Sequence, residues 1–156
     1  MEDLSLHILD ILENSVTADA TEISVVISED STADRLTLEI VDNGNGMDEA
    51  MKSKALDPFF TTRTTRRIGL GLPLLAQAAR ESGGGLELDS ERGRGTRVLA
   101  SFRLSHPDRK PLGDLTATLG AILAGRPELE LRFEHRRDGE TLSSLDTRQP
   151  TPTVRE

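Results

Sequence analysis

Two stretches decide the reading of this chain: VDNGNGM at residues 41–47 and GLGL at residues 69–72. A β-branched, alternating segment, RLTLEIVD (35–42), runs into the first. An apolar helical pattern, LPLLAQAARESG (72–83), runs out of the second. A strand that ends in Asp, Asn and Gly is ordinarily a turn. The same residues also suit a ligand. Asp42 can accept a hydrogen bond from an exocyclic amine, while Gly44 and Gly46 let backbone approach a base. A glycine-rich lead into a helix presents free N–H groups and the positive end of the helix dipole, which favour an anion. Arg63, Arg66 and Arg67 stand just before GLGL in a chain whose net charge is −8. Solvated loop arginines are the plainer reading, but cations beside a phosphate cradle fit this cluster better.

Outward from these stretches, EDLSLHILDILENSVTADA (2–20) predicts a helix, with Leu4, Ile8, Ile11 and Leu12 as its buried stripe. His7, Asp10 and Asn14 recur at spacings of three and four and share another face. Taken alone, that face reads as solvated surface. Yet Asn is a weak helix former, its carbonyl oxygen suits Mg²⁺, and a carboxylate one turn earlier can orient a nucleophile. TEISVVIS (21–28) and RLTLEIVD predict strands joined by a turn at EDSTAD (29–34). DEAMKSKAL (48–56) predicts a short helix stopped by Pro58, and DPFFTTRTTRRIG (57–69) a mobile loop. LPLLAQAARESG predicts a helix ended by Gly83, and GLELDSE and TRVLASFRL predict strands. Strands grouped between helices point to an α+β sandwich with helices on one face of the sheet.

The character changes after Leu104. SHPDRKP reads as a linker. LGDLTATLGAILAG (112–125) predicts an amphipathic helix, with Leu112, Leu115, Leu119, Ile122 and Leu123 on one side. ELELRFEHRR and ETLSSLDTRQ predict a β-hairpin turning at Asp138-Gly139. The expected organisation is a domain over 1–105, a helix-plus-hairpin extension over 106–149 and a disordered tail over 150–156. Composition bounds the rest. The chain has no Cys, so disulfides and Cys-ligated metals are excluded. Its acidity argues against a general hold on nucleic acid or an anionic membrane. No apolar run reaches the length of a membrane span, and the acidic start is unlike a signal peptide, so the expected location is cytoplasmic.

In combination these stretches resemble the ATP-binding domains of the gyrase, Hsp90, histidine-kinase and mismatch-repair ATPase superfamily. LDILENSVTADA resembles its N box, VDNGNGM its first glycine box, DPFFTTR its phenylalanine box, GLGLPLLAQ its second glycine box and GRGTRV its third. The run is most similar to the histidine-kinase branch. The resemblance implies a two-layer α/β sandwich of the Bergerat type, a mixed sheet with helices on one face, holding ATP under a lid at residues 57–69. It implies Mg²⁺ on Asn14, the adenine amino group on Asp42, and a pocket shaped by Gly44 and Gly46. Thr96 would support the base through its hydroxyl. Gly69, Leu70, Gly71 and Leu72 would present amides to the phosphates, and Arg63 would lie near the γ-phosphate. Asp10 would be the general base. Glu13 points about 100° away from Asn14 on an ideal helix and is the lesser candidate.

The family pattern is broken at two places. Asp10 stands where hydrolysing members carry Glu and histidine kinases often Asn. An imidazole acceptor needs little help from a base, whereas water or a hydroxyl does, so a carboxylate leans toward those acceptors. Asp is one methylene shorter than Glu, and a misplacement of about 1 Å costs on the order of a hundredfold in rate. Arg67-Ile68 replaces the usual small Gly-Thr pair at the lid hinge. The expectation is a stand-alone Mg-ATP domain that hydrolyses slowly or phosphorylates a protein partner, as an anti-sigma-factor kinase does. A non-catalytic ATP/ADP switch is the alternative. The oligomeric state stays open.

Overall fold

The computed structural model describes residues 3–56, 71–109, 111–147 and 149–154. Their order is α1 (Leu4–Thr17), β1 (Glu22–Asp30), β2 (Arg35–Asp42), α2 (Glu49–Ala55), α3 (Gly71–Glu81), β3 (Gly85–Glu91), β4 (Gly95–Arg103), α4 (Leu115–Ala124), β5 (Glu130–Arg137), β6 (Glu140–Asp146) and β7 (Gln149–Val154). The strands form one seven-stranded sheet in the order β3-β4-β2-β1-β5-β6-β7. Neighbours are antiparallel except β1 and β5, which run parallel, so the sheet is mixed as expected.

Alternation along the strands explains the two layers. Ile23, Val25 and Ile27 of β1, Leu36, Leu38 and Ile40 of β2, and Val98, Ala100 and Phe102 of β4 are all buried on one face. The intervening residues face the other side, and among them Glu39 of β2 and Arg97 of β4 carry charge. There the Arg97 guanidinium donates to Glu39 at 2.6 Å and to Asp89 at 3.2 Å, binding β2, β4 and β3 side by side. The hydrogen bond from Arg97 to Glu39, then the Glu39 charge, raises the Arg97 pKa further.

The helices pack on the apolar face, with α1 between α3 and α4. Leu4, Ile8 and Leu12 are fully buried, as expected from their spacing. The face carrying His7 is not solvated: His7 and Ser15 are each only 3% exposed. A helix with neighbours on both sides and a sheet beneath has most of its circumference covered, which a pattern reading of that helix alone does not register.

Residues after Leu104 are built into the same body. The first free amides of α1 donate to the carbonyls of Pro111 (from Leu4 N, 2.8 Å) and Leu112 (from Ser5 N, 2.9 Å). These groups would otherwise lack partners at a helix start. Asp114 caps α4 by accepting from Ala117 N at 3.0 Å, and Leu119 and Ile122 join the common core. β5 continues the sheet beyond β1, and the hairpin turns at Asp138-Gly139 as expected. The tail corrects the sequence reading. Residues 149–154 form β7, paired to β6, where a disordered tail was expected. The prolines that suggest disorder, Pro150 and Pro152, are tolerated because β7 is an edge strand, where half the N–H groups have no ladder to join.

Glu134 on β5 accepts from Arg136 at 2.8 Å and from Thr141 at 2.7 Å, so β5 and β6 are tied through one carboxylate. The Arg136 hydrogen bond first, then that of Thr141, lowers its pKa from 4.5 to about 2. A carboxyl with a depressed folded pKa stabilises the fold above its unfolded pKa, and this stabilisation is lost as pH falls from 4.5 toward 2. Glu134→Gln is therefore expected to cost about 1 kcal/mol at neutral pH and to flatten the acid limb. Urea midpoints measured from neutral pH down to that range test this, and an acid limb identical to that of the unsubstituted protein would contradict it.

Candidate functional site

The end of β2 places a carboxylate under the C-terminal half of α1. Asp42 is 9% exposed and lies on the inner face of the sheet. Its Oδ2 accepts from the Ser15 hydroxyl at 2.7 Å, and its Oδ1 accepts from the Gly44 amide at 2.9 Å. Burying a carboxylate is costly unless such donors hold it. Across the ladder Asp42 pairs with Thr96 of β4, so the two side chains share one face at neighbouring positions.

These groups close one end of a cavity of about 230 Å³ between the layers. Its walls are mostly apolar: Ile11 of α1, Ile40 and Val98 of the sheet, Met47, Met51 and Ala55 of the α2 region, and Leu72 of α3. Asn14, Ser15, Asn45, Asp42 and Thr96 supply the polar lining. A concave, largely apolar pocket with a few convergent polar groups is what a small-molecule site requires.

The loop after β2 is tied down on two sides. The Asn43 carboxamide oxygen accepts from the amides of Thr21 and Glu22, each at 2.9 Å. Asn45 N donates to Ala18 O at 2.8 Å, and Gly93 N donates to Asn45 O at 2.7 Å. The glycines serve this packing. A Cβ on Gly44 would sit 2.8 Å from Ala18 O. Gly46 has φ +69, and a Cβ there would fall on the Glu91 carbonyl. Both close approaches are between backbones of the chain itself, whereas the sequence suggested approach to a ligand; Gly46 also lines the cavity. After the loop, Asp48 caps α2 by accepting from Met51 N at 2.8 Å. Lys52 of α2 bonds Glu49 at 2.8 Å, which raises its pKa, with the Glu49, Asp89 and Glu91 charges adding to the effect.

The sequence-derived candidates divide accordingly. Asn14, Asp42, Gly46, Leu72 and Thr96 line the cavity together, and Gly44 holds Asp42. Leu72 brings its side chain to the wall. Gly71 begins α3. Asp10 lies one turn before Asn14 on α1 and is not among the lining residues. Arg63, Gly69, Leu70 and the lid at 57–69 lie outside the described residues. Sequence reasoning missed Ser15, Met47 and Met51. Ser15 carried a signal: it stands four residues after Ile11 and three after Leu12, on the line of the apolar stripe.

The sequence profile of the histidine kinase-, DNA gyrase B- and HSP90-like ATPases matches residues 2–106. The chain belongs to this family. A putative sensor protein of Shewanella frigidimarina is 31% identical over 109 residues, which are 69% of this chain and 17% of that protein. The nitrogen regulation protein NtrY of Azorhizobium caulinodans is 33% identical over 86 residues, 54% of this chain and 11% of that protein. The sensor protein kinase FleS of Pseudomonas aeruginosa is 42% identical over 89 residues, 57% of this chain and 22% of that protein. The chain thus spans a small part of these relatives, and the part is an ATP-binding domain of the histidine-kinase type. Among the described residues no helix is long and apolar enough to cross a membrane.

Ser15→Ala should leave the Asp42 carboxylate short of one buried donor. The expected cost is about 1–3 kcal/mol of stability, read from urea unfolding. A change within about 0.3 kcal/mol would contradict the role given to Ser15.

Proposed function

We propose that this chain binds Mg²⁺-ATP in the cavity under α1, and either hydrolyses it slowly or transfers the γ-phosphoryl group to a protein partner. The observation that carries this reading is the closed end of the cavity. There a buried, doubly bonded Asp42 carboxylate and Thr96 face an apolar slot that begins at Asn14. Asp42 accepts from the adenine amino group, and Thr96 supports the base beside it. The methionines and aliphatic side chains of both layers cover the ring. Gly71 and Leu72, at the start of α3, offer amides to the phosphates, and Gly69 and Leu70 of the same sequence motif, outside the described residues, would add theirs. Arg63 supplies positive charge near the γ-phosphate.

The donor set suits Mg²⁺. Among the described residues no group of three or more His, Asp or Glu side chains forms a metal cage. Mg²⁺ on a nucleotide needs none, because phosphates and water supply most of its oxygens and the protein adds one or two. Asn14 is a neutral oxygen ligand on the cavity wall and would hold the ion. The ion, when bound, neutralises charge on the phosphates.

Asp10, four residues before Asn14 on α1, would orient water or a hydroxyl acceptor. The names of the relatives support a protein as the receiver of the signal or of the phosphoryl group. A second reading rests on Asp10 as well. It is shorter than Glu and does not line the cavity, which favours a non-catalytic switch whose ATP and ADP forms differ for a partner.

Phosphate release from Mg²⁺-ATP, followed by ³¹P NMR, separates the two. Turnover that falls at least about tenfold in Asp10→Asn supports the enzyme. Tight binding without turnover, in the presence of candidate acceptor proteins, supports the switch. Asn14→Ala should abolish the Mg²⁺ dependence of ATP affinity in calorimetric titrations with and without the metal. An undiminished dependence would move the ion to another ligand.

A further inference from the structure

Behind Thr96, outside the cavity, stands a buried hydroxyl with no part in the roles above. Ser90 of β3 is 8% exposed and does not line the cavity. Its Oγ accepts from Met47 N at 2.8 Å, donates to Gly95 O at 3.0 Å and bonds Thr96 Oγ1 at 2.8 Å. A serine hydroxyl has one proton and two acceptor sites. The Gly95 carbonyl can only accept, so it takes the Ser90 proton. The Met47 amide can only donate, so it fills one acceptor site. The remaining site accepts from Thr96, and every group in the cluster is then satisfied. The proton of the Thr96 hydroxyl is thereby spent on Ser90, and toward the cavity that Thr96 lines its oxygen has only lone pairs to offer.

We infer that Ser90 is a positioning residue that sets base selectivity by holding the Thr96 proton away from the ligand. This rests on the nucleotide reading of the cavity. With Ser90 in place the closed end presents acceptors alone, the Asp42 carboxylate and the Thr96 oxygen, on adjacent strands. A 6-amino purine brings N–H donors to them. A 6-oxo purine replaces the amino donors with a third acceptor; its N1–H can reach only one of the two acceptors, so the oxo group still meets repulsion and loses its hydrogen bonds to water. If Ser90 is removed, the Thr96 hydroxyl is free to turn and donate to a 6-oxo group, which offsets that rejection. The bond from Met47 N to Ser90 braces the loop that walls the cavity. Its loss weakens every nucleotide alike and cancels in a ratio of affinities.

The test is the ratio of affinities for Mg²⁺-ATP and Mg²⁺-ITP, in which the 6-amino donor becomes an oxo acceptor and N1 gains a proton, by calorimetric titration. Ser90→Ala is expected to lower the preference for ATP at least about fivefold, and Ser90→Thr to restore it. In a Thr96→Val background Ser90→Ala should leave the ratio unchanged, because no hydroxyl remains to be released. A brace with no part in selectivity would weaken both nucleotides in Ser90→Ala and keep the original ratio, and that result overturns the inference. Should Ser90→Ala not fold, Ser90→Cys, whose thiol is a weak acceptor, carries the same expectation. Failure of the unsubstituted protein to bind ATP would instead overturn the nucleotide reading itself.

Discussion

The molecule depends on one buried carboxylate. Asp42 ends the strand at the centre of the core, and a charge there is tolerated only because Ser15 and the Gly44 amide hold it. The first bond ties the helical layer to the sheet. The second fixes the start of the loop that carries Asn45, Gly46 and Met47. These two ties fix α1 and the loop against the sheet end, and the cavity is lined by residues of all three. In the proposed function the same group also meets the ligand. A satisfied carboxylate retains lone pairs for a further donor, so its structural and recognition roles do not compete.

The residues after Leu104 bear on the site through α1. Their carbonyls at Pro111 and Leu112 cap the start of this helix, and α4 packs along it. α1 also carries Asn14 and Ser15 of the cavity wall, so the C-terminal part and the cavity meet on one helix. That part also protects the sheet. β5 covers the β1 edge in parallel register, and the edge left at β7 is interrupted by prolines.

Much of this was legible in the sequence because local periodicity and turn chemistry agreed with the final packing. Leu4, Ile8 and Leu12 announced the buried stripe of α1, the alternation in 22–42 announced β1 and β2, and Asp138-Gly139 announced the hairpin turn. Asp42, Asn14 and Thr96 were legible as a set because their motifs occur in family order, and the fold brings them to one cavity. What was not legible depends on neighbours distant in sequence. His7 and Ser15 read as polar surface or went unremarked, yet both are buried, Ser15 against Asp42 of β2. Met47 and Met51 have no pattern that marks a wall. Ser90 sits in a strand whose alternation says only that it faces inward, and its importance comes from Thr96 across the ladder. The tail composition suggested disorder because a pairing edge at β6 cannot be read from the tail itself.

The most direct test of the account is calorimetric titration of Asp42→Ala with Mg²⁺-ATP, beside a thermal melt of the same variant. The account predicts a folded protein whose affinity for ATP has fallen at least about a hundredfold, since a charged acceptor to the base is lost. A variant that melts cooperatively and still binds ATP as the unsubstituted protein does would contradict it, because the closed end of the cavity would then not be where the base is read.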